Sequence, residues 1–329
     1  MLIEAFSAAR DPADDTTNED MLVVLPGRAY AVIDGVTDRA GLRYDGLLSG
    51  RYAARLVARE LERGFDEAML RAPVQAVARL TAAMARVYVA KGNVEAAGLD
   101  WAQRIAATLA LVTTDAATVR IVLVGDSGVR LNGGEVIRAD KDLDRITALL
   151  RVHSWHLAAA RTPDPVQRER AARAVALYGT QQDAAVLPAP LTPADLVGVH
   201  AAALADCARA MPGLPADVVN AVLARGIVGG QGEHENNPDS PLGYSCLDGF
   251  PVPPKLIRVL ERPRAEIATI ELFSDGYFEP GRGFGVAAWE AVFREVERTD
   301  AEKLRTYPNA KGSTPQAFAD DRSYLVVRL

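Results

Sequence analysis

Acidic residues in this chain recur where apolar segments end. Glu19-Asp20 precede the run Met21–Pro26, and Asp34-Gly35 close the run Arg28–Asp34. Asp126 follows Thr118–Gly125, Asp275-Gly276 follow Glu266–Phe273, and Asp320-Asp321 open the last apolar segment. Carboxylates gathered at one place repel each other unless they are protonated or bridged by cations. A set made only of oxygen donors suits hard ions such as Mg²⁺ or Mn²⁺ rather than zinc. Taken singly, Asp-Gly after a strand reads as a turn, and Asp320-Asp321 as a solvated strand edge. Only the joint pattern points to metal.

The elements that must position these residues are legible in outline. Leu2–Ala8 reads as a strand, and Met21–Pro26 with Arg28–Asp34 as a hairpin turning at Pro26–Gly27. In that hairpin Glu19, Asp20 and Asp34 fall side by side. Two helices are expected at about 46–63 and 72–89, where alanine-rich apolar stripes repeat at helical period. Arg104–Thr114 and Thr118–Gly125 are β-rich, and Asn132-Gly133-Gly134 joins Gly128–Leu131 to Glu135–Arg138 as another hairpin. From Lys141 to Gly226 the pattern turns helical, broken at Thr162–Pro165 and Leu187–Pro193. Gly229–Gly249 has the composition of a loop. Strands resume at Lys255–Leu260 and Glu266–Phe273, then a helix near Ala287–Glu297, then Ser323–Leu329. If the last strand pairs antiparallel with Glu266–Phe273, Asp275 and Asp321 become neighbours. Strands early and late with helices between predict an α+β fold with largely antiparallel sheets. A single domain over 1–329, carrying a helical insertion and polar loop over 141–250, is expected.

The bulk numbers narrow the function classes. With 329 residues, 49% hydrophobic and 24% charged, the chain can bury a sizeable core. A net charge of −6 offers no broad basic face to nucleic acid. No apolar run approaches the ~20 residues of a membrane span, and the first residues lack the basic and apolar regions of a secretory signal. Two cysteines far apart, Cys207 and Cys246, read as reduced thiols. The cytoplasm is the expected compartment.

In order along the chain stand Asn18-Glu19-Asp20, Val32-Ile33-Asp34-Gly35 and Ala107-Thr108-Leu109. Val124-Gly125-Asp126-Ser127, Phe273-Ser274-Asp275-Gly276 and Asp321-Arg322-Ser323 follow. This string resembles the metal-dependent protein phosphatase family, the type 2C serine/threonine phosphatases. The resemblance omits the segment from Lys141 to Gly249. It implies a four-layer α-β-β-α sandwich with two or three Mn²⁺ or Mg²⁺ ions between the sheets. Asp34 would bridge two ions, and the Gly35 carbonyl would bind one. Asp275 and Asp321 would complete the second, with Glu19 and Asp20 in contact directly or through water. Asp126 with Asp275 matches a third metal position. The implied catalytic residues are Asp34, Asp275 and Asp321, and the implied reaction is attack by a metal-activated water on a phosphate monoester, without a phosphoenzyme. Bacterial members carry a phosphate-gripping arginine near Asn-Glu-Asp; here that neighbourhood is Asp14–Thr17, with Arg10 nearest. Arg39 and Arg43 are the candidate replacements, since guanidinium suits bidentate phosphate binding.

The leading expectation is a phosphatase acting on phosphoserine or phosphothreonine in proteins. The alternatives are a phosphatase of a small phosphorylated metabolite and a silent relative that binds a partner; a two-metal nuclease is more remote. His153 and His156 share a helical H-x-x-H spacing without a third ligand, so packing is the expected role. Gly229–Gly249, with His234, is either a substrate-side flap or a solvated loop.

Overall fold

The computed structural model describes residues 1–37, 41–92 and 101–329. Two five-stranded sheets, antiparallel throughout, form its centre. One runs β1 (Leu2–Ala8), β12 (Arg322–Arg328), β11 (Thr269–Phe273), β8 (Gly128–Leu131), β9 (Glu135–Ile137). The other runs β10 (Arg258–Pro263), β7 (Thr118–Val124), β6 (Ala107–Thr114), β3 (Ala29–Gly35), β2 (Met21–Leu25). A small ribbon, β4 (Arg43–Tyr44) and β5 (Leu47–Leu48), precedes the first helix.

The two-residue period of a strand assigns each side chain to a layer. Tyr30, Val32, Ala110 and Val112 face the other sheet and meet Val129, Leu272, Leu325 and Val327. Ala31, Ile33, Leu109 and Leu111 face outward, under helices α1 (Ser49–Gly64), α2 (Glu67–Arg71) and α3 (Val74–Ala90). On the opposite outer face Phe273, Tyr324 and Val326 pack on Trp289 and Phe293 of α8 (Val286–Asp300). The result is the expected α-β-β-α sandwich. Because β6 is covered on both faces, every one of its residues is buried.

Between β9 and β10 lie α4 (Asp142–Ala159), α5 (Pro165–Tyr178), α6 (Pro193–Ala210) and α7 (Ala216–Gly230). They bury a core of their own around Leu143, Ile146, Leu150, Val175, Leu196, Val199 and Leu223. The expected breaks at Thr162–Pro165 and Leu187–Pro193 mark helix starts. Pro165 and Pro193 occupy first-turn positions, where a missing N–H costs nothing. Asp164 and Thr192 cap those helices.

Several boundaries differ from expectation. β10 begins at Arg258 because Pro254–Leu256 forms a 3₁₀ turn. β11 begins at Thr269 after a 3₁₀ turn at Arg264–Glu266. Residues 231–253 hold no helix or long strand, yet they are tied down: Leu247 pairs with Ala107 across an isolated bridge. The Asn236 side chain donates to the Cys246 carbonyl at 2.9 Å and accepts from its N–H at 3.0 Å. Both cysteines are buried and free. Among the described residues no helix is long and apolar enough to cross a membrane.

Candidate metal centre

Strand register carries the acidic residues to one end of the sandwich. Asp34 closes β3 opposite Thr108 of β6, and Asp126 lies just past Val124, the last residue of β7. Phe273, the last residue of β11, pairs with both Gly128 and Tyr324, so Asp275 emerges at the same end. Gly125 makes the turn before Asp126 with a φ of +84°, a region that glycine enters without strain. One carboxylate oxygen from each of Asp34, Asp126 and Asp275 lies within 4.8 Å of the others. Gly276 allows this end to close, since a Cβ there would stand 1.9 Å from the Asp321 carbonyl.

Three carboxylates this close cannot all stay charged without help. Burial, then the nearby Asp20 and Asp275, push Asp34 well above the ordinary carboxylate range. Burial, then Asp320 and Asp126, do the same to Asp275. Asp126 is raised by burial, with Lys141 opposing. Asp20 is pushed up to about 7 by burial and by Asp321, against the Ser274 hydroxyl. That hydroxyl donates to Asp20 Oδ2 at 2.8 Å, whereas Asp20 Oδ1 is buried with no hydrogen bond. A converging set of oxygen donors with an unsatisfied buried oxygen beside it is the environment a hard divalent cation fits. The residues present therefore suit Mg²⁺ or Mn²⁺, with Asp34, Asp126 and Asp275 as holders and Asp20 at their side.

Other predicted ligands are placed differently. Glu19 Oε1 accepts the Arg51 backbone N–H at 3.3 Å, and Oε2 accepts the Thr37 hydroxyl at 2.9 Å. It caps the first turn of α1, where negative charge is favourable, and stands outside the three-carboxylate group. Gly35 lines the cleft and packs so tightly on Gly50 that a Cβ would meet the Gly50 carbonyl at 2.3 Å. Asp321 does not join Asp34 and Asp275. Its Oδ1 accepts the Arg10 N–H at 2.7 Å and its Oδ2 the Glu19 N–H at 3.1 Å, latching β1 to the start of β2. The carboxylate that reaches the cleft is Asp320, held by Lys311 Nζ at 2.8 and 3.1 Å. Both residues lie just before β12, and the doublet alone does not say which one turns toward the cleft.

The expected phosphate-binding cations also differ. Arg39 lies outside the described residues. Arg43 is exposed on β4 and donates to the Gly46 carbonyl at 3.0 Å, away from the cleft lining. Arg10 donates to the Thr37 hydroxyl at 3.2 Å. The cations that line the cleft are Lys141, Arg173, Lys255 and Lys311. Arg173 belongs to the insertion and Lys311 to the irregular stretch before β12. No local motif marks either, because both are brought in by long-range packing. His153 pairs with Asp206 at 2.9 Å within the insertion, a packing role.

No protein-family model matches the sequence, and no curated protein matches it. Among solved structures, a Mycobacterium tuberculosis serine/threonine phosphatase, PstP/Ppp, is similar at 16% identity and TM-score 0.47, covering 100% of this chain and 99% of that one. The catalytic domain of PstP in complex with two manganese ions is similar at 16% identity and TM-score 0.46, over 99% of this chain and 96% of the other. Stp1 from Staphylococcus aureus is similar at 10% identity and TM-score 0.44, over 99% and 94%. These are likenesses of shape; the chemistry is read from the chain's own residues.

Proposed function

We propose that this chain is a metal-dependent phosphohydrolase that cleaves phosphate monoesters. The observation that carries the reading is the convergence of Asp34, Asp126 and Asp275 at one end of the sandwich. They line a cleft of about 540 Å³ that also presents lysine and arginine. Divalent cations held by such carboxylates supply a nucleophilic water at neutral pH and neutralise charge on phosphoryl oxygens.

The chain's own residues do the rest. Asp34, Asp126 and Asp275 would hold the ions, and the Ser274 hydroxyl orients Asp20 beside them. Lysine and arginine in the same lining would receive phosphoryl oxygens. In the reaction a water oxygen bonds to phosphorus and the ester P–O bond breaks. The water's proton passes to the departing alkoxide, giving an alcohol and inorganic phosphate. No serine or cysteine of the cleft has a histidine–carboxylate pair to activate it among the described residues, so direct attack by water is the route. Whether the substrate is a phosphorylated protein side chain or a small phosphoester turns on what roofs the cleft. The test is release of phosphate from p-nitrophenyl phosphate with and without Mn²⁺, against an Asp275→Asn control.

A further inference from the structure

The helices between β9 and β10 and the loop after them line the same cleft as the carboxylates. Leu177 and Tyr178 of α5, Ile227 and Val228 of α7, and Tyr244 of the loop line it. Arg173, one turn before Leu177 on α5, lines the same cleft. Among the described residues it has neither a hydrogen bond nor an ion pair.

Its neighbours are already committed. Glu169, at the i−4 position where a helix pair would form, gives both oxygens to Arg151 at 2.9–3.1 Å and one to the Gly312 N–H at 3.1 Å. Asp320 gives both oxygens to Lys311. Burial, then the nearby Arg10, lower the Arg173 pKa from its ordinary value. An unpaired guanidinium in such surroundings is costly unless an anion joins it.

Resting on the phosphatase reading, we propose that the cleft takes a small phosphate monoester with an apolar body, whose phosphoryl oxygens are gripped by Arg173. A volume of about 540 Å³ lies within the range of small-molecule sites, about 300–1,000 Å³. Apolar side chains on the roof offer contact to an aryl or alkyl group, while the guanidinium offers the planar fork that phosphate fits. A phosphoserine side chain is short, so a folded phosphoprotein would have to bring its backbone among these apolar side chains, which a small ester need not do.

Wild type, Arg173→Met and Arg173→Lys are compared in three measurements. Calorimetric Mn²⁺ affinity is expected to be the same in all three, since Arg173 is no ligand. Inorganic phosphate affinity of the Mn²⁺-loaded protein is expected to fall at least about tenfold in Arg173→Met, and less in Arg173→Lys. Wild-type kcat/KM is expected to favour p-nitrophenyl phosphate over a phosphothreonine peptide by about tenfold or more, with the methionine variant losing mainly in KM. Unchanged phosphate affinity in Arg173→Met would overturn the role of Arg173. A peptide hydrolysed as well as the small ester would overturn the substrate class. Absence of Mn²⁺ binding in wild type would instead remove the phosphatase reading itself.

Discussion

Asp34, Asp126 and Asp275 repel one another in the metal-free chain, so their removal acts oppositely on stability and on function. Asp34→Asn and Asp275→Asn each keep the side-chain shape and delete one charge. Each is expected to abolish measurable Mn²⁺ binding and to stabilise the metal-free protein. Calorimetry and urea denaturation read the two effects. The same electrostatics sets a pH dependence. Asp248, pushed up to about 6 by burial, and Asp20, at about 7, hold their protons more tightly folded than unfolded, as do Asp34 and Asp275. Between the unfolded carboxylate value and the folded one, the native state binds more protons, so stability falls as pH rises. The metal-free protein should lose melting temperature from about pH 4 upward through pH 7. Saturating Mn²⁺ should flatten the part of the curve due to the cluster, leaving the contribution of Asp248. At this scale the sequence marks strand-end carboxylates well. It names Asp321, whereas Asp320 is the one that lines the cleft, and it gives no sign of Arg173 or Lys311, which arrive from segments far away in the chain.

A buried ion cluster ties the helices between β9 and β10 to the stretch before β12. Arg151 pairs with Glu169 and also donates to the carbonyls of Glu302, Lys303 and Asn309, at 2.6, 3.2 and 3.1 Å. This joins α4 and α5 to the stretch that carries Lys311. Arg151→Met leaves Glu169 buried without its main partner, which costs about 3–5 kcal/mol. Urea unfolding should show that loss, and the double variant Arg151→Met with Glu169→Met should recover part of it. A steric counterpart lies at Gly276, where alanine would drive its Cβ into the Asp321 carbonyl; Gly276→Ala should fail to bind Mn²⁺ even where it folds. Helix positions here were readable because caps and prolines are local signals: Asp164 and Pro165, Thr192 and Pro193. The ion cluster was not readable, since Arg151 and Glu169 resemble any helix-surface pair until the 302–312 stretch covers them.

The whole molecule is a sandwich whose two sheets meet at one chemical end. Its layers were legible because each strand alternates between two apolar faces: Tyr30 and Val32 toward the other sheet, Ala31 and Ile33 toward the helices. The pairing of β1 with β12 was not, because nothing local in Leu2–Ala8 specifies a partner more than 300 residues away. A cation held at this end would couple the two sheets, since Asp34 and Asp126 come from one and Asp275 from the other. Mn²⁺ at one hundred times its Kd should therefore stabilise the fold by about 2.7 kcal/mol. On the proposed reading, this end of the sandwich hydrolyses phosphate monoesters only when divalent cations bind its carboxylates. Steady-state hydrolysis of p-nitrophenyl phosphate, titrated with Mn²⁺ in wild type and in Asp34→Asn, tests it directly. The expected result is turnover that rises and saturates with Mn²⁺ in wild type and stays at background in the variant. Equal rates in the two proteins, or wild-type turnover indifferent to Mn²⁺ and to chelator, would contradict it.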